Sequence, residues 1–156
     1  LAHRYAGDGE WSVWIDGNIE LVAPAGNLIA EVERSGCSIG LFRHPERYCA
    51  YDEGAACIKR GKDAAERIAE QLARYEAEGY PRRFGLAECN VIVRRHNDPG
   101  VSRAMEIWWE EIEKGSRRDQ ISFNYAFWRA GMAYHELGNG LVDVRSDRRF
   151  VYHRHG

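Results

Sequence analysis

A chain of 156 residues, 44% apolar and with a formal charge of −2, is long enough for one domain with a real core. Its balance of charge excludes a disordered chain and a protein that grips nucleic acid through a broad basic field. No run is apolar enough to span a membrane, and four cysteines at 37, 49, 57 and 89 form no Cys-x-x-Cys pair, which excludes a zinc ribbon and points to buried free thiols.

The chain opens at Leu1 without Met, close to its first strand, as expected of one piece of a larger protein. That strand runs over about 11–15 and stops at Asp16-Gly17-Asn18. Two readings compete there. Asp-Gly between Trp14-Ile15 and Ile19-Leu21 is a strong signal for a two-residue hairpin turn. Alternatively, Asp16 and Asn18 at the end of a buried strand are oxygen ligands placed to hold a divalent cation.

Asn27 is placed to cap a helix over 28–35, which Gly36 ends. Residues 38–42 read as a second strand, followed by the polar cluster His44, Arg47, Asp52 and Glu53. Asp52 predicts a helix to Arg60, and Asp63 caps a clearer one over 64–78, with Ile68, Leu72 and Tyr75 on one stripe. Residues 89–93 form a third strand too apolar to have a wet face, hence central. Glu88 and Asn90 sit at one end of it and Arg94-Arg95-His96 at the other. In open sheets one such end lines the ligand cleft.

Asp98-Pro99 starts the next helix, with Val101, Met105, Trp108 and Ile112 at helical spacing. A further helix covers 117–130. Ser116 and Asp119 resemble a capping box, but Arg117 and Arg118 lie in the first turn, where the helix dipole disfavours cations. That misplacement suggests an anionic partner such as a diphosphate. A last extended piece over 149–152 leads to His153 and His155, which share a face in a strand and could reach one ion with Asp16 and Asn18. Of the five tryptophans, Trp14, Trp108, Trp109 and Trp128 fall on inward faces, leaving Tyr51 and Phe123 as candidate sugar platforms. Strands alternating with helices give an α/β fold with a mixed, mostly parallel sheet flanked by helices.

Several segments together resemble a glycosyltransferase-like family, long labelled only as a domain of unknown function, that includes plant mucilage-related proteins and bacterial relatives. The matching residues are Trp14-Ile15-Asp16-Gly17-Asn18, His44, Arg47, Cys49, Tyr51, Gly85-Leu86, Glu88, the run 90–96, and Ser116-Arg117-Arg118-Asp119-Gln120-Ile121-Ser122-Phe123. The resemblance covers about 11–155, and the last segment is its most specific part. It implies a GT-A-like transferase using a nucleotide-sugar donor, a Mn or Mg ion, and a glycan or lipid acceptor. By similarity, Asp119 and Gln120 are catalytic. Arg117, Arg118, Glu88, Asn90, His44 and Arg47 bind substrate, and Asp16, Asn18 and His153 or His155 hold the metal. GT-A domains carry an earlier strand–helix–strand region that grips the base, for which there is no room before Trp11. A metal-dependent hydrolase and a non-catalytic carbohydrate-binding domain are the rival readings. A bacterial protein of this kind is expected in the cytoplasm, and a eukaryotic one in the Golgi or endoplasmic-reticulum lumen.

Overall fold

A computed structural model describes residues 1–153. A short 3-10 turn at Ala2–Arg4 precedes β1 (Ser12–Ile15), β2 (Ile19–Leu21), α1 (Ala25–Arg34), β3 (Ile39–Arg43), α2 (Ala50–Lys59) and α3 (Ala65–Ala77). There follow β4 (Ala87–Arg94), α4 (Pro99–Lys114), α5 (Asp119–Ala130), β5 (His135–Glu136), a second 3-10 turn at Leu137–Gly140, and β6 (Phe150–Tyr152).

The main sheet has the order β1-β4-β3-β5, and β4 is central, as its apolar run predicts. The architecture is mixed α/β, with a mixed sheet. Its parallel share is smaller than the expectation of a mostly parallel sheet. Among the described residues only β3 and β5 run parallel, whereas β1 and β3 both lie antiparallel to β4. The reason lies in the connections: α2 and α3 both separate β3 from β4, so this is not the single-helix crossover of a βαβ unit.

The Asp16-Gly17 turn closes with Ile19 N donating to the Asp16 carbonyl at 2.9 Å. It does not make a hairpin. The chain leaves the main sheet there, and β2 pairs with β6 in a separate two-stranded ribbon.

Helices cover both faces of the main sheet. Leu28 and Val32 of α1 are fully buried in a cluster with Phe42, Val91 and Val93. Each such side chain contributes about 1.5–3 kcal/mol of burial. Gly40 allows this close approach, because a Cβ there would lie 2.6 Å from a Val32 methyl. Ile39, Leu41 and Ile92 pack in a second cluster with Val101 and Met105 of α4 and with Phe123 and Phe127 of α5. The caps explain the helix limits. The Asp98 carboxylate accepts from Gly100 N and Val101 N at 2.9 and 3.0 Å, and Gly131 ends α5 with φ 65°. By contrast, α1 starts earlier than Asn27 predicts, with no side-chain cap at Pro24, and Cys49 rather than Asp52 caps α2. The capping box at Ser116 does not form either. Ser116 Oγ donates to Asp63 at 2.7 Å, and Arg118 holds the cap position.

One irregularity positions the site. β3 pairs Leu41 with Ile92 and then jumps to Phe42 with Glu88, so residues 89–91 bulge away from β3. Bulges of this kind re-aim side chains beside binding sites.

Candidate active site

The bulge of β4, the turn after β1 and the first turn of α5 converge. Asp16, Cys89 and Asp119 line two adjoining cavities of about 550 and 290 Å³. A third, of about 630 Å³, shares Glu88, Arg118, Gln120, Arg145 and Tyr152 with the smaller one. The result is one cleft with an aromatic compartment, a polar middle and a basic compartment.

Asp119 is recessed at the centre. Its Oδ1 accepts from Gln120 N at 2.9 Å, and its backbone carbonyl accepts from Trp108 Nε1 at 3.0 Å. Burial raises its carboxyl pKa, opposed by the Gln120 amide and the Arg118 charge and reinforced by Asp16. Asp16 Oδ1 accepts from Trp14 Nε1 at 3.1 Å. Asn90 Oδ1 and Arg118 Nε are buried and have no partner among the described residues. An unmet acceptor and an unmet cationic donor in one cleft cost stability unless a ligand satisfies them.

The carboxylate of Glu88, expected to bind substrate, is already engaged. Arg145 grips it through both carboxylate oxygens, at 2.7 and 3.1 Å, with the guanidinium 4.7 Å from the Tyr152 ring centre. Burial pushes the Cys89 thiol pKa well up, which favours the neutral thiol.

His44 and Arg47 shape the basic compartment. His44 Nδ1 accepts from Glu46 N and Arg47 N at 3.2 and 3.1 Å, and burial, followed by the Arg47 charge, lowers its pKa. Arg47 is held by Glu53 at 2.5 Å and by Glu46 at 2.8 Å. The less constrained cations facing this space are Arg60, Lys62 and Arg118.

The structure thus gathers Asp16, Asn18, Glu88, Asn90, Arg118, Asp119 and Gln120 in the polar middle, with His44 and Arg47 at its basic end. Arg117 is not among them. Its side chain is 81% exposed, its Nε sits 3.6 Å from Asp63, and it lines none of these cavities. The expected start at 117 is two residues early: α5 begins at Asp119, Arg118 is extended at its cap, and in extended backbone successive side chains such as Arg117 and Arg118 point to opposite sides.

His153 also stays out. Its imidazole meets Glu20 at 3.2 Å, and only its backbone approaches Asn18, whose Nδ2 donates to the His153 carbonyl at 3.3 Å. The period of two in a strand puts Tyr152, rather than His153, on the cleft side. His155 lies outside the described residues. Among the described residues, no three His, Cys, Asp or Glu side chains converge as a metal cage.

The tryptophan expectations need correction. Trp14 is 54% and Trp109 45% exposed, and both line the aromatic compartment with Trp108. β1 is an edge strand, so its Trp14 face is not covered from beyond the sheet. Trp14 and Asp16 share a strand face by the period of two, a signal that was legible in the sequence. Tyr51 and Phe123 are buried, with Tyr51 OH donating to the Tyr80 carbonyl at 2.9 Å, so neither serves as a platform. Arg145 and Tyr152 were not foreseen; they arrive from the far end of the chain with no local motif.

Among curated proteins, a probable hexosyltransferase, MUCI70, of Arabidopsis thaliana is 29% identical over 133 residues, covering 80% of this chain and 23% of that protein. The chain therefore spans about a quarter of the length of that relative. No solved structure matches it. No helix among the described residues is long and apolar enough to cross a membrane. The TOD1/MUCI70 glycosyltransferase-like domain matches residues 1–154, which include the bulge, the turn at Asp16 and the start of α5, and the chain belongs to that family.

Proposed function

We propose that this domain transfers a hexose from a nucleotide-sugar donor to an acceptor hydroxyl, with a GT-A-like arrangement of the site. The observation that carries the reading is the recessed Asp119 between a compartment whose cations outnumber its carboxylates and one lined by indoles. The donor's diphosphate lies in the basic compartment, where Arg118 Nε has no partner among the described residues, Lys62 adds charge and Arg60 is held only loosely, by Glu46 at 4.0 Å. Arg118 stabilises the leaving group as negative charge develops on it. Asn90 Oδ1 accepts from a donor hydroxyl. Asp119, with Gln120 beside it, faces the sugar carbon where positive charge builds.

The donor set near Asp16 fits a hard cation of the Mg or Mn type. Such ions take one or two protein oxygens and complete their shell with phosphate oxygens and water, so an all-protein cage is not required. Asp16 and Asn18 are the residues to hold it, and neutralising the diphosphate is the chemistry it supplies.

The test is release of free nucleoside diphosphate from UDP-glucose or UDP-galactose by the purified chain, with and without Mn. Turnover by the wild type that disappears in Asp119→Asn supports the reading. No turnover and no saturable donor binding with either nucleotide sugar would overturn it. Turnover as fast without acceptor as with one would favour the hydrolase.

A further inference from the structure

The aromatic compartment contains a charge that the transfer reading leaves unused. Arg94 lines it, is only 8% exposed, and has no carboxylate within ion-pairing distance among the described residues. Its contacts are weak: Nε to Ser12 Oγ at 3.3 Å and one terminal nitrogen to Met105 Sδ at 3.5 Å. A guanidinium keeps its proton in a protein, so this is a buried cation without a counterion. That arrangement is costly unless an anion completes it.

The neighbours of Arg94 define the rest of the ligand. Trp14 and Trp109 expose large flat faces into the same space. Two of the indoles there are fixed by hydrogen bonds to the acids of the polar middle, Trp14 to Asp16 and Trp108 to the Asp119 carbonyl. They are therefore set before a ligand arrives. Strand register sets the distances. Arg94 lies opposite Ser12, and Asp16 N donates to the Asn90 carbonyl, four residues further along β1. At about 3.3 Å per residue the two ends are about 13 Å apart, room for two sugar rings. The cationic end is thus remote from the carboxylates, which would repel an anion.

We propose that this compartment is the acceptor subsite and that it selects an acidic glycan, a pyranose bearing a carboxylate. Its ring stacks on Trp14 and Trp109, its carboxylate pairs with Arg94, and the hydroxyl-bearing end of the acceptor points towards Asp16 and Asp119. This rests on the transferase reading for the word acceptor, but the binding itself needs neither donor nor metal. A fatty-acid ligand would also present a carboxylate. The carboxylates at the far end and the ring-sized indole faces favour a sugar, because an alkyl tail has no use for hydrogen-bond acceptors.

The test is titration of the intrinsic tryptophan fluorescence of the whole chain with methyl β-D-glucuronide, methyl β-D-glucoside and oleate, in the absence of nucleotide and metal. The expected result is a saturable change with the glucuronide at least tenfold tighter than with the glucoside. Arg94→Gln should erase that preference and Arg94→Lys restore part of it. Trp109→Ala, at an exposed position, should weaken both sugars while leaving the fold intact. Should Arg94→Gln fail to fold, the wild-type comparison and Trp109→Ala still decide. Equal binding of the two sugars, no response to either, or tighter binding of oleate would overturn the proposal. A chain that turns over donor yet ignores the glucuronide would sink this inference alone, whereas glucuronide binding without donor turnover would count only against the transferase reading.

Discussion

Two polar clusters in this molecule look alike in composition and differ in how fully they are satisfied. Between α3, α4 and α5, Glu111 accepts from Tyr75 OH at 2.8 Å and pairs with Arg74. Gln71 donates to Tyr75 OH at 2.8 Å and accepts from Ser116 N at 2.8 Å, and Glu78 takes Arg129 at 2.9 Å. The Tyr75 and Tyr125 rings stack beside them with centroids 3.6 Å apart. In the cleft, among the described residues, Asn90 and Arg118 keep unmet atoms and Arg94 lacks a counterion. A closed network holds helices together, whereas an open one waits for a ligand. Substitutions should therefore unfold the first and disable the second.

The largest expected effect is on the closed side. Glu111→Ala leaves Tyr75, Gln71 and Arg74 without their shared acceptor. It should cost about 2–4 kcal/mol in urea denaturation, less than a wholly buried pair because Arg74 is partly open to water. A loss below about 0.5 kcal/mol would show that the network is decorative and break the contrast.

On the open side, Asp119→Asn should lower kcat by about 10²–10³-fold, as expected for removing one charge-stabilising group. The same variant should be more stable than the wild type at pH 7, by about 0.5–2 kcal/mol. The sign follows from the raised pKa of Asp119. The folded state holds that proton more tightly than the unfolded state, so stability falls as pH rises above the ordinary carboxylate value. Thermal melts of the two proteins should therefore converge as the pH drops through the carboxylate range. A variant that is both inactive and destabilised at pH 7 would place Asp119 with the structural network instead.

Arg118→Gln should raise the KM for the donor by about 10–100-fold, the value of one charge-assisted contact, with little change in melting temperature. Unchanged donor affinity would mean that the unmet Nε is not a phosphate ligand. The smallest effect is expected at Arg117→Ala. This side chain is exposed and pairs loosely with Asp63, so stability should move by less than about 0.5 kcal/mol and kinetics not at all.

How far the sequence could be read depends on the range over which each feature is determined. The helix from Asp98-Pro99 and the stop at Gly131 follow from local caps, and the central place of β4 follows from its apolar run. Asp16 stands out in the sequence because it ends an apolar strand with a carboxylate, whereas Asp119 reads locally as a cap and is marked as catalytic only by the family resemblance. Arg117 and Arg118 read alike in the sequence, since adjacency does not reveal that the helix starts only at Asp119 and that the extended cap turns one of the two neighbours inward. The side-chain direction of His153 depends on pairing with β2, and the grip of Arg145 on Glu88 joins positions 57 residues apart. Trp14 was assigned to the core because a strand pattern cannot say which strand lies at the edge of the sheet.

The cleft draws on Asp16 and on Tyr152, with the bulge of β4 and the start of α5 between them. Loop closure over such separations is completed late, after local helices have formed. Ligand binding by this domain is therefore a gauge of whole-chain folding: a nascent or clipped chain can show native helix content and still have no cleft. Pulse proteolysis and donor protection would report different moments of the same folding reaction.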